Sequence, residues 1–330
     1  MKALSLFSGG LDSQLAVCLI KQQGIDVVGI NFVTPFFGAN DRTIKAADDL
    51  DIKLLTPDIS DIYIPKVLRN PVYGYGKNFN PCIDCHGFML RLAGEMMPEL
   101  GASFLITGEV VGQRPMSQNK SAMNAVVKLS GQRGFIVRPL TAKLLEPSEP
   151  EKRGWIDRDR LLDISGRSRT RQMELAEQLG ITDYPSPAGG CLLTDAGYTN
   201  RLRRYFGFSA DPHPTELAVL KLGRHFYLND GLLLIVGRNQ SENNLIRNNI
   251  LPGDYLLKVM ERPGPLAMLR SPAMVSQEDL ARAASIVARY SDARDLDSVM
   301  VRVFSPDSEN EQMLSVAPMP ADVVTSAGSV

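Results

Sequence analysis

The chain has 330 residues, of which 44% are hydrophobic and 22% are charged, and its formal net charge is −1. This composition is typical of a folded protein, and the length allows two domains. A nearly neutral chain has no overall basic field, so contact with nucleic acid would depend on local basic patches. No apolar run reaches the ~18 residues that indicate a membrane span. The first segment also lacks the pattern of a secretory signal, so we expect a cytoplasmic protein with no membrane partner.

Strands and helices alternate through the first part of the chain. The predicted strands cover residues 2–7, 25–33, 53–59, 102–109 and 134–140. This alternation predicts an α/β fold with a doubly wound parallel sheet. Ligands of such sheets bind at the carboxyl ends of the strands, at a switch point in the strand order. The segment Ser8–Ser13 follows the first predicted strand and Thr107–Glu109 ends the fourth, so both are candidate parts of a ligand site.

The later parts of the chain differ in composition and in predicted secondary structure. Residues 151–180 are charged and predicted to be helical, and a Pro/Gly loop with Cys191 and a basic-aromatic stretch follow them. From about residue 210, short strands interrupted by one clear helix predict a second, smaller α+β domain. We therefore predict four parts, which are an α/β domain over 1–150, a basic helical extension over 151–208 that completes it, an α+β domain over 209–317 and a flexible tail over 318–330.

The segment Ser8-Gly9-Gly10-Leu11-Asp12-Ser13 has the composition of a phosphate-binding loop. Its glycines allow close approach of the backbone to a ligand, and main-chain N–H groups at the following helix start would hold phosphate oxygens. Ser8 and Ser13 would add hydroxyl donors, and Asp12 would hold Mg²⁺ or position the loop. The pattern is neither a Walker P-loop nor a dinucleotide-binding fingerprint. The alternative is an ordinary glycine turn with a helix cap.

This segment resembles the SGGxDS signature of the PP-loop ATP pyrophosphatases, and the resemblance covers roughly the first 200 residues. It implies that residues 1–150 form an ATP-binding domain that uses Mg²⁺. Members of that family activate a substrate carbonyl by adenylation and release pyrophosphate, after which a nucleophile displaces AMP. The signature is shared by amidating and sulfur-transferring branches, so it does not specify the substrate.

The four cysteines narrow this choice. A chain of this length with only Cys18, Cys82, Cys85 and Cys191 has no disulfide scaffold, and a Cys-x-x-Cys pair points to metal or redox chemistry. Cys18 occupies an apolar position of the first predicted helix and is expected in the core. The segment from Asn80 to His86 resembles the NPCxxC element of tRNA thiolation enzymes, and Cys191 completes the three-cysteine arrangement of their cluster-dependent members.

That resemblance implies a 4Fe–4S cluster on Cys82, Cys85 and Cys191, with one iron left open to bind sulfide. Two other interpretations stay open. Cys191 and one cysteine of the pair would form a persulfide or disulfide couple, which requires a reactive thiolate. Alternatively, His86 would complete a Cys₃His zinc site, or the thiols would simply be buried apolar groups.

The segment from Thr107 to Gln118 resembles the TGExxGQRPxSQ element of the 4-thiouridine synthetases, which lies beside ATP and the reacting base. Thr107 and Gly108 are therefore expected to contact ATP, and Arg114 to neutralise phosphate charge as pyrophosphate leaves. Phe32, in the second predicted strand, belongs to the same expected ATP site, and the following segment Thr34–Gly38 would border the adenine. The alternatives are a solvated loop and a turn with two partly buried aromatic residues.

Basic residues flank Cys191 on both sides in the sequence. Arg167, Arg169 and Arg171 form the densest run, and Arg203 and Arg204 belong to the second. These residues are candidate contacts to tRNA phosphates. The alternative is a solvated helix face.

The order of motifs from Gly231 to Pro265 resembles the NFACT-R domain, an RNA-associated module with a VGRN-type element. That resemblance covers about residues 210–305 and implies that Arg238 contacts RNA, with Arg224, His225 and Asn239 as further candidates. The alternative is a hairpin followed by a helix start, in which Asn and Gly serve turn chemistry. The domain would then be a packing or dimerisation unit and the chain a homodimer.

We therefore predict an ATP-dependent tRNA sulfurtransferase that adenylates a pyrimidine carbonyl and replaces its oxygen with sulfur. The 4-thiouridine synthetases carry an RNA-binding domain before the PP-loop, whereas this chain begins at the strand of the loop itself. RNA binding is therefore expected from the basic helices and the carboxyl-terminal domain. Sulfur is expected as free sulfide or from a separate cysteine desulfurase. Two alternatives remain, a PP-loop ligase or amidotransferase that acts on another substrate and a non-catalytic RNA-binding adaptor.

Overall fold

A computed structural model of the protein describes residues 1–186, 190–209, 212–229, 231–306 and 311–326. The chain divides into two compact units, Met1–Thr194 and Asp195–Val330. The division places residues 195–208 in the second unit, whereas the sequence analysis groups them with the first domain. Within the described ranges, every helix is too short or too polar to cross a membrane.

The first unit contains a five-stranded sheet in the order β3-β2-β1-β4-β5. Its strands are all parallel, as the alternating pattern predicts, and the doubly wound α/β fold is confirmed. The switch point lies between β1 and β4, where Leu6 stands opposite Thr107. The strands are β1 (Lys2–Leu6), β2 (Asp26–Ile30), β3 (Lys53–Leu55), β4 (Phe104–Thr107) and β5 (Ile136–Val137).

Helices of the first unit cover both faces of this sheet with apolar side chains, because a parallel sheet must be buried on both sides. Phe7, Ile20 and Phe104 lie in one apolar cluster, and Leu11 and Leu15 lie in another. The helices are α1 (Leu11–Lys21), α2 (Asp41–Asp49), α3 (Ser60–Tyr63), α4 (Cys82–Leu100), α5 (Lys120–Ser130), α6 (Glu149–Lys152) and α7 (Thr170–Gln178).

The continuous helical stretch predicted over 151–180 is wrong. Only a short 3₁₀ turn lies between the end of α6 and the start of α7. Ile156 and Leu161 in this interval are buried in the sheet core, which requires an irregular path over the protein. Ser165 then pairs with Val111 as an isolated parallel bridge. This pairing brings the basic run beside the segment that follows β4.

The second unit is built on a six-stranded antiparallel sheet in the order β11-β10-β8-β9-β7-β6. Its strands are β6 (Arg224–Asn229), β7 (Leu232–Val236), β8 (Tyr255–Val259), β9 (Leu266–Arg270), β10 (Val299–Phe304) and β11 (Glu311–Val316). Its helices are α8 (Ala196–Phe208), α9 (Pro214–Ala218), α10 (Gln240–Asn248), α11 (Gln277–Arg289) and α12 (Ala321–Ser326). The predicted α+β domain is confirmed.

Two elements of this unit depart from the sequence analysis. β11 was not predicted, because its polar and half-exposed residues lack the apolar face of an internal strand. Residues 321–326 form α12, although the sequence analysis places them in a flexible tail. Val324 explains this difference, because its side chain is buried in the same apolar cluster as helix α11.

The second unit contains a buried ion pair that offers a test of this fold. Arg270 Nε donates to Asp254 Oδ1 at 2.9 Å, and Nη2 donates to Oδ2 at 2.6 Å. Asp254→Asn would leave the Arg270 charge buried without its counterion, so we expect a loss of about 3 kcal/mol or more in the free energy of unfolding. Urea denaturation followed by circular dichroism measures this loss.

The exposed pair between Arg302 and Glu311 supplies the matched control. Glu311→Gln should cost less than about 1 kcal/mol because water screens that pair. Equal losses for the two variants would contradict the placement of Asp254 in the core.

Candidate active site at the switch point

The glycine-rich loop connects β1 directly to α1. Ser13 Oγ donates to the Gly10 carbonyl oxygen at 2.8 Å and lies 3.3 Å from Ser8 Oγ. Gln14 Nε2 donates to the Gly9 carbonyl oxygen at 2.8 Å. The N-cap residue of α1 is Gly10, and no side chain caps the helix. The first N–H groups of α1 therefore remain available to phosphate oxygens.

Asp12 lies in the first turn of α1, where one of its carboxylate oxygens accepts a hydrogen bond and the other has no partner among the described residues. Gln113 Nε2 donates to Asp12 Oδ2 at 3.0 Å. Asp12 Oδ1 and Gln113 Oε1 are buried and have no hydrogen-bond partner among the described residues. A buried acceptor without a partner is costly, and a carboxylate oxygen is a preferred ligand of Mg²⁺. The residues therefore fit a Mg²⁺ ion at Asp12.

Two glycines allow the close packing around this loop. Gly9 has φ +71°, and a Cβ atom there would lie 2.8 Å from the Cα atom of Thr43. A Cβ atom at Gly108 would lie 2.5 Å from the Asp12 carbonyl carbon. Gly108 therefore allows β4 to approach the loop backbone itself.

Sequence reasoning connected the segment after β2 with the adenine of ATP. The Phe32 side chain is buried, with 3% of its surface exposed. Phe36 and Phe37 pack on Tyr63, with ring centroids 6.1 Å and 5.4 Å away. The Leu192 N–H donates to the Phe36 carbonyl oxygen at 2.9 Å, which fixes the segment after Cys191 against this loop. These aromatic rings therefore support the cysteine region structurally.

The three cysteines of the predicted cluster all influence the ionisation of Tyr63. Cys82 and Cys85 lie in the first turn of α4, and Asn80 Nδ2 donates to Cys82 Sγ at 3.1 Å. The Tyr63 hydroxyl faces Cys85 without regular hydrogen-bond geometry. Burial raises the pKa of Tyr63 well above its usual value, and charge on Cys85, Cys191 or Cys82 would raise it further. The three thiols are therefore electrostatic neighbours.

Burial also controls the ionisation of the thiols themselves. It raises the pKa of Cys85 well above its usual range, and the contact with Tyr63 only partly offsets this. Burial raises the pKa of Cys191 to about 11. Among the described residues, no three His, Cys, Asp or Glu side chains are positioned to hold a metal ion. The thiols thus have the donor chemistry of an iron–sulfur site without forming a ready ligand set.

A buried carboxylate connects the cysteine helix to the switch point. Glu109, directly after Gly108, accepts from Arg138 Nε at 2.8 Å and lies 2.9 Å from His86 Nδ1. Thr107 Oγ1 donates to the same carboxylate at 3.2 Å. Burial alone would raise the pKa of Glu109, but Arg138 and His86 outweigh it and lower the pKa to about 2. The Glu109 network therefore joins β4, β5 and α4 through one charged group.

The basic run near this edge divides into different environments. Arg167 is exposed in the loop before α7, and Arg171 donates to the exposed Asp163 at 2.7 Å. Arg169 is half-buried, and its Nε atom lacks a partner among the described residues. The Gly166 N–H donates to the Val111 carbonyl oxygen at 2.8 Å, so this loop follows the segment that carries Gln113. Arg114, in that segment, is exposed.

The candidate RNA contacts of the second unit prove to be partly structural. His225 is buried, with Nε2 2.8 Å from the Leu222 carbonyl oxygen, and burial lowers the pKa of His225 to about 3. Asn239 caps α10, and Arg238 forms an ion pair with Glu242. The other arginines also have local contacts. Arg224 lies over the ring of Tyr290, Arg204 lies over the ring of Tyr227, and Arg203 donates to Asn200 Oδ1 at 3.2 Å. Arg238 and Asn239 of the VGRN segment thus both contact the start of α10.

Sequence reasoning missed several groups at this site. Arg138 and Tyr63 were not selected, Glu109 was included only as the last residue of the candidate segment Thr107–Glu109, and His86 was considered only as a zinc ligand. Glu109 carried one usable signal, because an acidic residue directly after a strand at a sheet edge is a candidate for function. Arg138 and Tyr63 gave no signal, since their roles depend on which strands and helices become neighbours.

The parallel sheet, the uncapped helix start and the glycine loop at the switch point define a PP-loop nucleotide-binding domain. Residues 1–143 match the family model described as thiamine biosynthesis protein (ThiI). Residues 223–326 match the model described as NFACT protein RNA binding domain. Residues 1–143 therefore match a ThiI-type PP-loop domain and residues 223–326 match an NFACT-R domain, as the two resemblances imply. The PP-loop family uses ATP and Mg²⁺.

Curated relatives extend the comparison. The chain is 31% identical over 220 residues to tRNA-specific 2-thiouridylase MnmA 1 of Caldanaerobacter subterraneus and 26% identical over 220 residues to MnmA 2 of Thermoanaerobacter sp.. Both matches cover 60% of this chain and 57% of the relative, so the chain spans little more than half of their length. The U34-tRNA thiolase NcsA of Methanococcus maripaludis, solved with its [4Fe–4S] cluster, covers 57% of this chain and 60% of its own at 16% identity and a TM-score of 0.32. That similarity is too low to inform the site.

The approach of Gly108 to the loop predicts the effect of a single methyl group. Gly108→Ala would place Cβ 2.5 Å from the Asp12 carbonyl carbon, and backbone cannot yield as a side chain would. We expect the loop to shift and the affinity for Mg²⁺–ATP, measured by calorimetry, to fall about tenfold. Gly207→Ala is the control, because open space surrounds that position. Unchanged ATP affinity in the Gly108 variant would contradict the proposed geometry.

Removing the charge of Glu109 should destabilise the first unit. Glu109→Gln leaves Arg138 buried without a counterion, which costs about 3–5 kcal/mol. The fluorescence of Trp155, the single tryptophan, reports unfolding because it packs against the core of this unit. Adding Arg138→Met should recover part of the loss, whereas the exposed Asp49→Asn should change little.

The pair of Glu109 and Arg138 also makes the free energy of unfolding depend on pH. The folded pKa of Glu109 is about 2, below its usual 4.5, so its stabilisation is complete above pH 4.5 and disappears as the pH falls toward 2. The difference in the free energy of unfolding between wild type and Glu109→Gln should therefore decrease as the pH falls from 4.5 toward 2. A constant difference from pH 7 to pH 2.5 would contradict the charged state of Glu109.

Proposed function

We propose that the protein is an ATP-dependent tRNA sulfurtransferase that replaces a pyrimidine carbonyl oxygen with sulfur. The main support is the connection between the nucleotide loop and the cysteines. Gly108 packs on the backbone of Asp12, and the next residue, Glu109, binds His86 beside Cys85. Two observations support tRNA as the substrate. The relatives are tRNA-specific 2-thiouridylases, and the second unit matches an RNA-binding family.

In the first step, ATP binds at Ser8–Ser13. The N–H groups at the start of α1 would hold phosphate oxygens, Ser8 and Ser13 would donate hydroxyl hydrogen bonds, and Asp12 Oδ1 would hold Mg²⁺. Thr107 and Gly108 would border the nucleotide at the switch point. The carbonyl oxygen of the base attacks the α-phosphorus, and pyrophosphate leaves. Arg114 is exposed on the adjacent loop, where it would offset the charge of the leaving pyrophosphate.

In the second step, sulfide attacks the activated carbon of the base. A C–S bond forms, the C–O bond to AMP breaks, and AMP leaves with the original carbonyl oxygen. Because sulfide is already fully reduced, this exchange needs no further electrons, whereas transfer from a persulfide would need a two-electron reductant. The site residues would orient the two reactants, which accounts for much of the rate in such reactions.

The thiols of Cys82, Cys85 and Cys191 are the proposed site that supplies sulfur to the base. A 4Fe–4S cluster held by Cys82, Cys85 and Cys191 would supply bound sulfide when present. The shared influence of the three thiols on the ionisation of Tyr63 supports this assignment. The hydrogen bond from the Leu192 N–H to the Phe36 carbonyl oxygen would keep the Cys191 segment in place.

The reaction can be tested directly on the full chain. Protein purified without oxygen is incubated with Mg²⁺–ATP, sulfide and bulk tRNA, and thiolated nucleosides are measured by mass spectrometry. Wild type should produce AMP, pyrophosphate and a thiopyrimidine in equal amounts. Asp12→Asn and Cys191→Ala should lower thiopyrimidine formation at least about a hundredfold. Cys18→Ala is the matched control, because Cys18 packs beside the apolar cluster between α1 and α7.

Each alternative has its own result in this assay. If ammonia replaces sulfide and an amidated product forms, the chain is a ligase of the amidating branch. If tRNA binds but no AMP forms, it is an adaptor. Iron and acid-labile sulfide near four atoms of each per chain, lost in Cys82→Ala, would support the cluster. Activity without iron and dependent on added thiol would support a persulfide instead.

A further inference from the structure

The NFACT-R domain contains a polar cavity that was not predicted from the sequence, although part of its lining belongs to the motifs between Gly231 and Pro265. Its volume is about 290 Å³, near the lower end for ligand pockets. Its walls come from α10, from β8 and from the turn that leads into β9. The lining residues are Gln240, Asn243, Asn244, Arg247, Lys258, Arg262, Pro263, Gly264 and Leu266. We call this cavity the α10 pocket.

Three cations line the α10 pocket and keep their charges unpaired. Arg247, Lys258 and Arg262 are exposed, and none forms an ion pair with another described residue. Other arginines of the same unit behave differently, since Arg238 pairs with Glu242 and Arg270 pairs with Asp254. Three cations around one cavity repel one another, so their convergence favours an anionic ligand.

Amide side chains on α10 add hydrogen-bonding capacity to the same cavity. Asn243 Oδ1 accepts from the Leu266 N–H at 3.1 Å, which fixes this side chain at the edge of β9. A Cβ atom at Gly237 would lie 2.2 Å from Asn243 Oδ1, so the glycine of the VGRN segment makes room for it. Gln240 Nε2 donates to Asn244 Oδ1 at 3.0 Å. Donor and acceptor groups held beside cations suit a ribose or base edge next to a phosphate.

We propose that the α10 pocket binds the sugar–phosphate backbone of an RNA strand. Arg247, Lys258 and Arg262 would contact phosphate oxygens, and the amides of Asn243 and Asn244 would contact ribose or base. The choice of RNA as the ligand rests on the proposed function and on the family match over 223–326, which includes every lining residue. The RNA contacts of this domain would then lie in the α10 pocket rather than at Arg238 and His225, whose side chains have structural partners.

The test measures RNA binding by the full chain without ATP. A fluorescently labelled single-stranded ribo-oligonucleotide and bulk tRNA are titrated with protein at several salt concentrations. Arg247→Ala/Lys258→Ala/Arg262→Ala should weaken binding about tenfold or more at low salt. The slope of log K against log salt should fall by about two, since each phosphate contact contributes roughly 0.7 for single strands. Lys221→Ala/Arg289→Ala/Arg294→Ala removes the same charge outside the pocket and should retain the wild-type slope.

Two further arms separate this inference from its alternatives. ATP added in excess over the RNA should leave the RNA bound. If ATP displaces the RNA when the two are at equal concentration, the pocket is a mononucleotide site and the proposal is overturned. Wild-type affinity and slope in the pocket variant, or equal losses in both triple variants, would also overturn it. If thiolation fails in every assay while the pocket variant alone loses RNA, the inference stands and the proposed function falls.

Discussion

The contact between the end of β4 and the nucleotide loop is the constraint on which the first unit depends. Gly108 lies so close to Asp12 that no side chain fits between them, and Glu109 follows immediately with a buried charge. Because that charge is bound by Arg138 on one side and His86 on the other, the position of β4 determines the position of the cysteine helix. Two consecutive residues, Gly108 and Glu109, thus connect the loop to the helix that carries Cys82 and Cys85.

Features of the fold and the site that depend on neighbouring residues could be predicted from the sequence, whereas features that depend on contacts between distant residues could not. The glycine loop and the alternation of strands and helices are local patterns, so both were predicted and the parallel sheet is confirmed. The Glu109 network joins residues 23 and 29 positions apart. Its partners become neighbours only when β4 pairs with β5 and α4 packs beside them, and no periodicity encodes that arrangement.

The basic residues show a second limit of sequence reasoning. Arginines in a run look alike in sequence, but the structure separates those that hold the fold from those that remain open to a ligand. Arg238 belongs to a motif and is paired with Glu242, while Arg247, nine positions later, belongs to none and is unpaired within the described part of the chain. The motif residue Asn239 likewise caps α10, so part of this motif stabilises a local turn and helix start.

Charge balance explains how a buried acid can stand beside a site for polyphosphate. An uncompensated Glu109 would repel the phosphates of ATP across the low-dielectric interior. Arg138 is buried with it and neutralises the pair, and His86 adds a second hydrogen bond. Asp84, in the first turn of α4, is likewise occupied, because its oxygens accept from the Val72 and Tyr73 N–H groups at 2.6 Å and 3.0 Å. Among the described residues of this edge, Asp12 has a buried carboxylate oxygen without a partner, and a cation held there would attract phosphates.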